Sequence, residues 1–245
     1  MDKVISRLKN EYECSGCGAC IAVCPKNAIE KRKTVLGAWV PEINADLCVN
    51  CGLCEKICKT SIQQNDFPKR AYVAYNKNQD MRKISASGGA FSALATYILA
   101  CGGSVFGAAM YFEDGKAIVE HNKITQIKDL PRLLGSKYVQ SDAAKAYKQV
   151  RKDLQSGHIV LFSGCSCQIA GLKNYLSGVE TTNLYTIDLI CHGVPSIELL
   201  NSYIMFLEKK YSGVIKNLSF RTKEKGKIIY KITTQIDDKS AKERL

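Results

Sequence analysis

The chain has 245 residues, 46% of them apolar, 24% charged and 8% aromatic. Such globular proportions exclude wholesale disorder, collagen and coiled coil, and no apolar run reaches the roughly 18 residues that a membrane span needs. The formal charge is +12, but residues 206–245 hold eleven Lys and Arg against five Asp and Glu, so +6 of it lies in a basic tail of solvated lysine that could steer an acidic partner. Nucleic-acid binding is not expected.

The N-terminal stretch Met1-Asp2-Lys3-Val4-Ile5-Ser6-Arg7 lacks the apolar centre of a secretory signal. The expectation is a soluble cytoplasmic protein. Twelve cysteines in such a chain stay reduced, which favours metal binding over disulfides.

Eight of the twelve form an internal repeat. Cys14, Cys17, Cys20 and Cys24 recur as Cys48, Cys51, Cys54 and Cys58, each displaced by 34 positions. Both copies read C-x2-C-x2-C-x3-C, the spacing of bacterial two-cluster ferredoxins, in which the fourth cysteine ligates the other cluster. On that logic Cys14, Cys17, Cys20 and Cys58 hold one 4Fe–4S cluster, and Cys48, Cys51, Cys54 and Cys24 hold the second. Gly16, Gly18 and Gly52 let backbone amides approach the sulfides, and Ile21, Val23, Val49, Leu53 and Ile57 are placed to exclude water. Pro25 follows the first copy, where the second has Lys59. Structural zinc would want two separated C-x2-C pairs per ion, and a radical-SAM cluster would want C-x3-C-x2-C, which does not occur. Eight thiolates around two oxidised four-iron cores would lower the net charge to roughly +8.

The segment 34–41 between the copies reads as a short hairpin, and Asn65-Asp66-Phe67-Pro68 marks a boundary. Residues 1–67 are therefore expected to form a ferredoxin-type domain and 68–245 a second one. Beyond the boundary, Ala71 to Tyr75 reads as a strand, and Ser87 to Cys101 as a helix closed by Gly102-Gly103. Ser104 to Phe112 and Lys116 to His121 form a hairpin about Asp114-Gly115. A helix over Ala143 to Gln155, a strand over His158 to Phe162 and a helix over Cys167 to Leu176 follow. Asn183 to Ile190 reads as a buried strand, Pro195 to Tyr211 as a helix with proline at its start, and Val214 to Thr222 with Ile228 to Ile236 as a second hairpin. The fold class is α+β: a small ferredoxin-like 2x 4Fe–4S domain followed by a mixed α/β domain.

Four loops look like site material. Ser87-Gly88-Gly89 opens a helix and reads either as a phosphate seat or as a helix cap. Gly135-Ser136-Lys137-Tyr138 adds a lysine able to neutralise a phosphate. Ser163 to Gln168, and Cys191-His192-Gly193 after the next strand, lie where open sheets bind ligands. Cys101 and Cys165 read as buried small apolar residues, and His192 either as a proton donor or as a hydrogen-bonded structural histidine.

Four strings in order over residues 70–222 resemble the coenzyme F420 hydrogenase/dehydrogenase beta-subunit family. They are Ser87-Gly88-Gly89-Ala90-Phe91, the run 135–141, Cys167-Gln168-Ile169-Ala170-Gly171-Leu172 and the run 188–195. The resemblance implies ferredoxin-type clusters joined to a flavin-binding α/β body, with electron transfer between clusters, FAD and coenzyme F420 or another organic acceptor. It places Ser87, Gly88, Gly89, Gly135, Ser136, Lys137 and Tyr138 at candidate flavin contacts. It places Cys167 and Cys191 at cysteines that could serve an additional 4Fe–4S cluster. The chain departs from the family in Ser166, where proline is usual, in the extra Cys165, and in stopping at Leu245, which reads as C-terminally short. The expected protein is an iron–sulfur flavoprotein oxidoreductase with a redox partner protein and a small-molecule electron acceptor. The alternative is a non-catalytic electron-carrier or docking subunit.

Overall fold

A computed structural model describes residues 13–58, 70–224, 227–229, 231–236 and 239–244. Helices α1 (Ala19–Val23) and α2 (Leu53–Ile57) are five-residue turns, each entered through a left-handed glycine, Gly18 at φ 80° and Gly52 at φ 70°. Each ends on the fourth cysteine of its motif, Cys24 or Cys58, in extended conformation. That change from helical to extended backbone turns the last thiol away from the other three. Between the two motifs β1 (Ile29–Lys33) and β2 (Trp39–Ile43) form an antiparallel hairpin that starts earlier than the expected segment 34–41, most of which is its turn.

The rest is built on a mixed sheet. It comprises β3 (Ser104–Glu113), β4 (Lys116–Ile124), β5 (Val160–Cys165) and β6 (Leu184–Leu189), in the order β4-β3-β5-β6. The β3–β4 hairpin is antiparallel, while β3, β5 and β6 run parallel. Helices α4 (Ala90–Ala100), α5 (Ala144–Gln155) and α6 (Ser166–Tyr175) cover it, preceded by α3 (Gln79–Ile84). A second sheet joins β7 (Ile215–Ser219), β10 (Lys231–Ile236) and β11 (Lys239–Arg244), all antiparallel, beneath α7 (Ile197–Tyr211). Buried Asp153 of α5 pins that helix to the first sheet by accepting from Ser104 Oγ and Lys123 Nζ, both at 2.6 Å.

Several elements differ from the sequence reading. Ala71 to Tyr75 forms no strand: it pairs with none of the described sheets, and Tyr72, Val73 and Tyr75 are exposed. β6 is a half-exposed edge strand, because no further strand flanks it. Pro195 stands one residue ahead of the N-cap Ser196, whose side chain accepts from Leu199 N–H. β7 pairs with β10 across an intervening small hairpin of β8 (Thr222–Glu224) and β9 (Lys227–Ile229). A 3₁₀ helix at Ile127–Leu133 and α3 carry no strong periodic signal. The boundary near residue 68 lies outside the described residues.

On either side of that boundary the chain shares one core. Ala19, Cys20, Ala22, Ile29 and Ile57 pack in the same buried cluster as Tyr147, Val150, Phe162, Ile169 and Leu172. Leu172 is fully buried there. Leu172→Ala should cost about 2–5 kcal/mol of stability, the range for a leucine truncated in a core. The loss should appear as a lower urea midpoint and weaker retention of metal by the N-terminal motifs. An unchanged midpoint would show that α6 does not support the cysteine loops.

Candidate metal centre

The first cysteine loop is pressed into the body. Cys14, Cys17, Cys20 and Cys58 line a cavity of about 480 Å³, together with Trp39, Ile57 and the α6 residues Cys167 and Gly171. Gly16 is left-handed (φ 64°), and a Cβ there would lie 1.9 Å from Gln140 Nε2, so a larger residue would be strained and would have to push that amide aside. Backbone amides already point at sulfur: Gly16 N–H donates to Cys14 Sγ (3.4 Å) and Ala28 N–H to Cys24 Sγ (3.2 Å). Such bonds stabilise a thiolate and raise the potential of a cluster it holds.

The thiols record this crowding. Cys20 is pushed far up, first by burial and then by the neighbouring charges of Cys17, Cys14 and Cys58. Burial also raises Cys14 and Cys54. Among the described residues no three His, Cys, Asp or Glu side chains converge on a single ion. The cysteines surround a volume, and the soft four-sulfur donor set with amide donors fits a four-iron cluster. The second triplet is more superficial, with Cys51 exposed and Cys48 and Cys54 half-buried. Val49 (55% exposed) and Leu53 (38%) do not shield it in the way the sequence suggested, whereas Ile57 is buried against the first centre.

Three further cysteines gather at the carboxyl ends of adjacent parallel strands. Cys165 ends β5, Cys167 lies in the first turn of α6, and Cys191 follows β6. The Cys165 and Cys191 thiols are close enough to perturb each other. Burial, followed by the adjoining Cys191, pushes Cys165 up to about 12. Burial and then the charges of Cys17 and Cys191 push Cys167 up to about 11. Cys17, Cys167, Cys191 and Cys165 thus form a run from the first centre to the end of the sheet. Cys165 is half-buried, and Cys101 is exposed, because it caps α4 at the surface instead of packing beneath it. His192 is exposed and makes no hydrogen bond among the described residues, which removes the reading of it as a bonded structural histidine.

A buried network supports this end of the sheet. His121 Nε2–H donates to Ser163 O (2.9 Å), and Ser141 O–H donates to His121 Nδ1 (3.2 Å). The Gln168 amide donates to Ser141 Oγ (3.0 Å) while its Oε1 accepts from Cys165 N–H (3.0 Å). Burial holds His121 down to about 4, so the ring stays neutral, with one donor and one acceptor nitrogen, both matched. Sequence reading missed His121, Tyr147 and Gly171. Only Gly171 carried a signal, as a glycine inside a helical pattern.

The candidate cofactor loops flank residues 220–223, with Tyr138 edge-on to Phe220 and Lys223 Nζ donating to Ser87 O. Gly88 and Gly89 are filled from within: a Cβ on Gly88 would lie 2.8 Å from Ala74 O, and one on Gly89 3.0 Å from Asn76 Cβ. A side chain at either glycine would therefore crowd its neighbours, which accounts for the glycines at this helix start. Lys137 Nζ donates to Leu134 O (2.8 Å) and Arg132 O (3.3 Å), and burial lowers it to about 8. Gly135, left-handed at φ 81°, faces open space, so the 135–136 end of that loop has room for a polar ligand.

The fold and the cysteine cradles define an iron–sulfur electron-transfer protein. Residues 13–62 match the 4Fe-4S dicluster domain, and residues 157–243 match the C terminus of the coenzyme F420 hydrogenase/dehydrogenase beta chain. The chain thus carries a dicluster ferredoxin-type domain, followed by a segment similar to the C terminus of that beta subunit. It is 34% identical over 67 residues to the ferredoxin 7Fe of Hydrogenibacillus schlegelii, covering 80% of that protein and 26% of this chain. It is 40% identical over 65 residues to an iron-sulfur subunit of the CoB–CoM heterodisulfide reductase of Methanocaldococcus jannaschii, covering 21% of this chain. The chain spans 10% of the length of that reductase component. A chain of the F420-reducing [NiFe] hydrogenase complex from Methanosarcina barkeri aligns at 18% identity and TM-score 0.48, over 71% of this chain and 60% of that one. No helix among the described residues is long and apolar enough to cross a membrane.

Raised thiols give the cysteine centres a pH signature. Each ligand must lose its proton on binding, so iron uptake by the apo-chain should release protons and strengthen as pH rises from about 7 to about 9. A pH-stat record of anaerobic reconstitution checks this. Uptake without proton release would mean the thiols were already ionised.

Proposed function

We propose that this chain is an iron–sulfur flavoprotein oxidoreductase. It would move electrons between two 4Fe–4S clusters and a flavin (FAD), with coenzyme F420 or another organic molecule as acceptor or donor and a partner protein supplying or removing single electrons. The observation that carries the reading is that Cys58 of the second motif lines the same cavity as Cys14, Cys17 and Cys20, and that this cavity reaches α6 of the body through Cys167. The crossed assignment follows: Cys14, Cys17, Cys20 and Cys58 hold the inner cluster, and Cys48, Cys51, Cys54 and Cys24 the outer one. Cys167 and Cys191 stand as candidate ligands of an additional cluster nearer the sheet. Bound clusters supply one-electron steps, and a bound flavin couples these to two-electron chemistry.

The chain's own residues do the holding. Amides and apolar walls exclude water at the inner centre, while Gly135 and Ser136 offer the open polar edge for a cofactor phosphate. A specific observation favours the carrier alternative: Lys137, Gly88 and Gly89 are all engaged within the chain. On that reading the body is a docking platform for the clusters.

Crossed ligation has a distinctive outcome. The anaerobic parent should hold about eight irons and eight labile sulfides. Cys58→Ser should damage the inner cluster, matching Cys17→Ser in the paramagnetic spectrum of the reduced protein, and Cys24→Ser should match Cys51→Ser. A Cys58→Ser spectrum resembling that of Cys51→Ser would mean that each motif keeps its own cluster.

The cofactor reading is tested at Ser136, which is half-buried beside the open Gly135. Ser136→Asp adds a negative charge where a phosphate would lie, so flavin occupancy should fall about tenfold while iron content stays at the parental level. Parental protein that reconstitutes with iron yet retains no FAD after gel filtration would establish the carrier alternative.

A further inference from the structure

Helix α6 runs along the wall of the inner cavity with a glycine at its midpoint. A glycine inside a helix is destabilising relative to alanine, so its presence there needs a packing reason. At Gly171 the reason is contact with the metal-binding loop. A Cβ on Gly171 would stand 3.1 Å from Cys17 Sγ, 3.2 Å from Cys17 Cβ and 3.2 Å from the Tyr147 hydroxyl. Carbon does not ordinarily sit that close, so a side chain there would have to displace the Cys17 sulfur or the tyrosine.

Tyr147 meets the same point from α5. It is fully buried, and its hydroxyl lies 2.9 Å from the Cys17 carbonyl and 2.9 Å from the Gln168 carbonyl. One proton therefore serves two acceptors, one on the cysteine loop and one on α6. The Gln168 carbonyl lies within a helix, whereas the Cys17 carbonyl precedes α1 and depends on the phenol. Its negative end borders a space in which a reduced cluster would carry more negative charge than an oxidised one. The hydroxyl offsets it. Burial pushes the ionisation of Tyr147 well up, so the group remains a neutral donor.

We propose that Gly171 and Tyr147 are positioning residues for the inner centre, fixing the Cys17 sulfur against α6 and so setting the reduction potential of that cluster and its coupling to Cys167. The inference rests on the reading of Cys17 as a ligand of the inner cluster. Neither residue touches iron on this view: Gly171 allows the approach, and Tyr147 neutralises and fastens it. Loss of the tyrosine hydroxyl leaves the Cys17 carbonyl uncompensated, which disfavours the reduced cluster. Its potential should fall. Adding a methyl at Gly171 shifts the sulfur itself, so the electronic structure of the cluster should change along with its potential.

The test uses the full chain reconstituted anaerobically, in parent, Tyr147→Phe and Gly171→Ala forms. Iron and sulfide are counted, and each centre is followed by paramagnetic resonance through a redox titration. Tyr147→Phe should keep the parental iron content. At a fixed solution potential its inner centre should show about a tenfold higher oxidised-to-reduced ratio, equivalent to about 59 mV for a one-electron couple. The outer centre should titrate as in the parent. Gly171→Ala should alter the resonance of the inner centre alone, or lose the iron of that centre alone. Parental potentials and spectra in both variants would overturn the proposal. So would parallel loss of both centres, because the contact would then serve the fold at large and not the inner cluster. A Cys17→Ser protein that keeps the inner resonance would instead refute the ligand reading beneath it, and the two failures are distinguishable.

Discussion

Three cysteines within seven residues cannot bury a cluster by themselves. A loop so short has no interior, and the apolar residues within it are too few to exclude water from four irons. The body must supply the wall, and the contact of the first cysteine loop with α5 and α6 is the constraint on which the rest of the structure depends. It explains why Ala19, Cys20 and Ala22 belong to the same core as Leu172 and Tyr147. It also explains why small residues recur where the loop meets its wall: Gly16 against Gln140, Gly18 against Ala144 and Gly171 against Cys17. A larger side chain at these points would strain the loop or lift it from its support and open the cavity to water.

The same contact makes two sequence-equivalent motifs physically unequal. The first triplet is walled by α5, α6 and the β1–β2 hairpin. The second leaves Cys51 exposed, beside exposed Leu47, Val49 and Leu53. Desolvation disfavours added negative charge, so the enclosed site is the one whose potential depends most on its nearby dipoles. The outer site is tuned by water instead. A repeat in the sequence has thus become an asymmetry in environment.

The cysteine repeat was legible because ligand spacing is a local property: the turn that wraps a cluster is written within a dozen residues. The hairpins read at residues 34–41 and about Asp114-Gly115 were legible for the same reason, although the first is wider than that segment. What sequence could not reveal is set by partners far along the chain. Ala71 to Tyr75 has the apolar, aromatic composition of a strand, yet it pairs with none of the described sheets. Asn183 to Ile190 reads as buried because it is apolar, yet strand order leaves it at the edge. Tyr147 and Cys17 are separated by 130 positions, and no pattern within either segment announces their hydrogen bond. The contacts of Lys137 are likewise not announced by its loop: its ammonium donates to the carbonyls at the end of the 3₁₀ helix.

The arrangement at the carboxyl ends of β5 and β6 follows from the wall as well. Gln168 belongs to the helix that faces the inner centre, and its two amide ends are committed to Ser141 and to the Cys165 backbone. Ser141 is in turn held by a neutral His121 whose other nitrogen is bonded to Ser163. Each member of this network has its donors and acceptors matched, so rotating any one of them would leave a buried polar group unsatisfied, at a cost of about 1–3 kcal/mol. The turn carrying Cys165 and Cys167 is therefore fixed from below by the network, while Tyr147 fixes the Gln168 carbonyl from the side. A redox path needs donor and acceptor groups whose separation does not fluctuate. Here the Cys17 carbonyl and the start of α6 are tied together through a single phenol, while the absent side chain of Gly171 lets the Cys17 sulfur lie against the helix, which is a stiffer connection than a loop of the same length could provide.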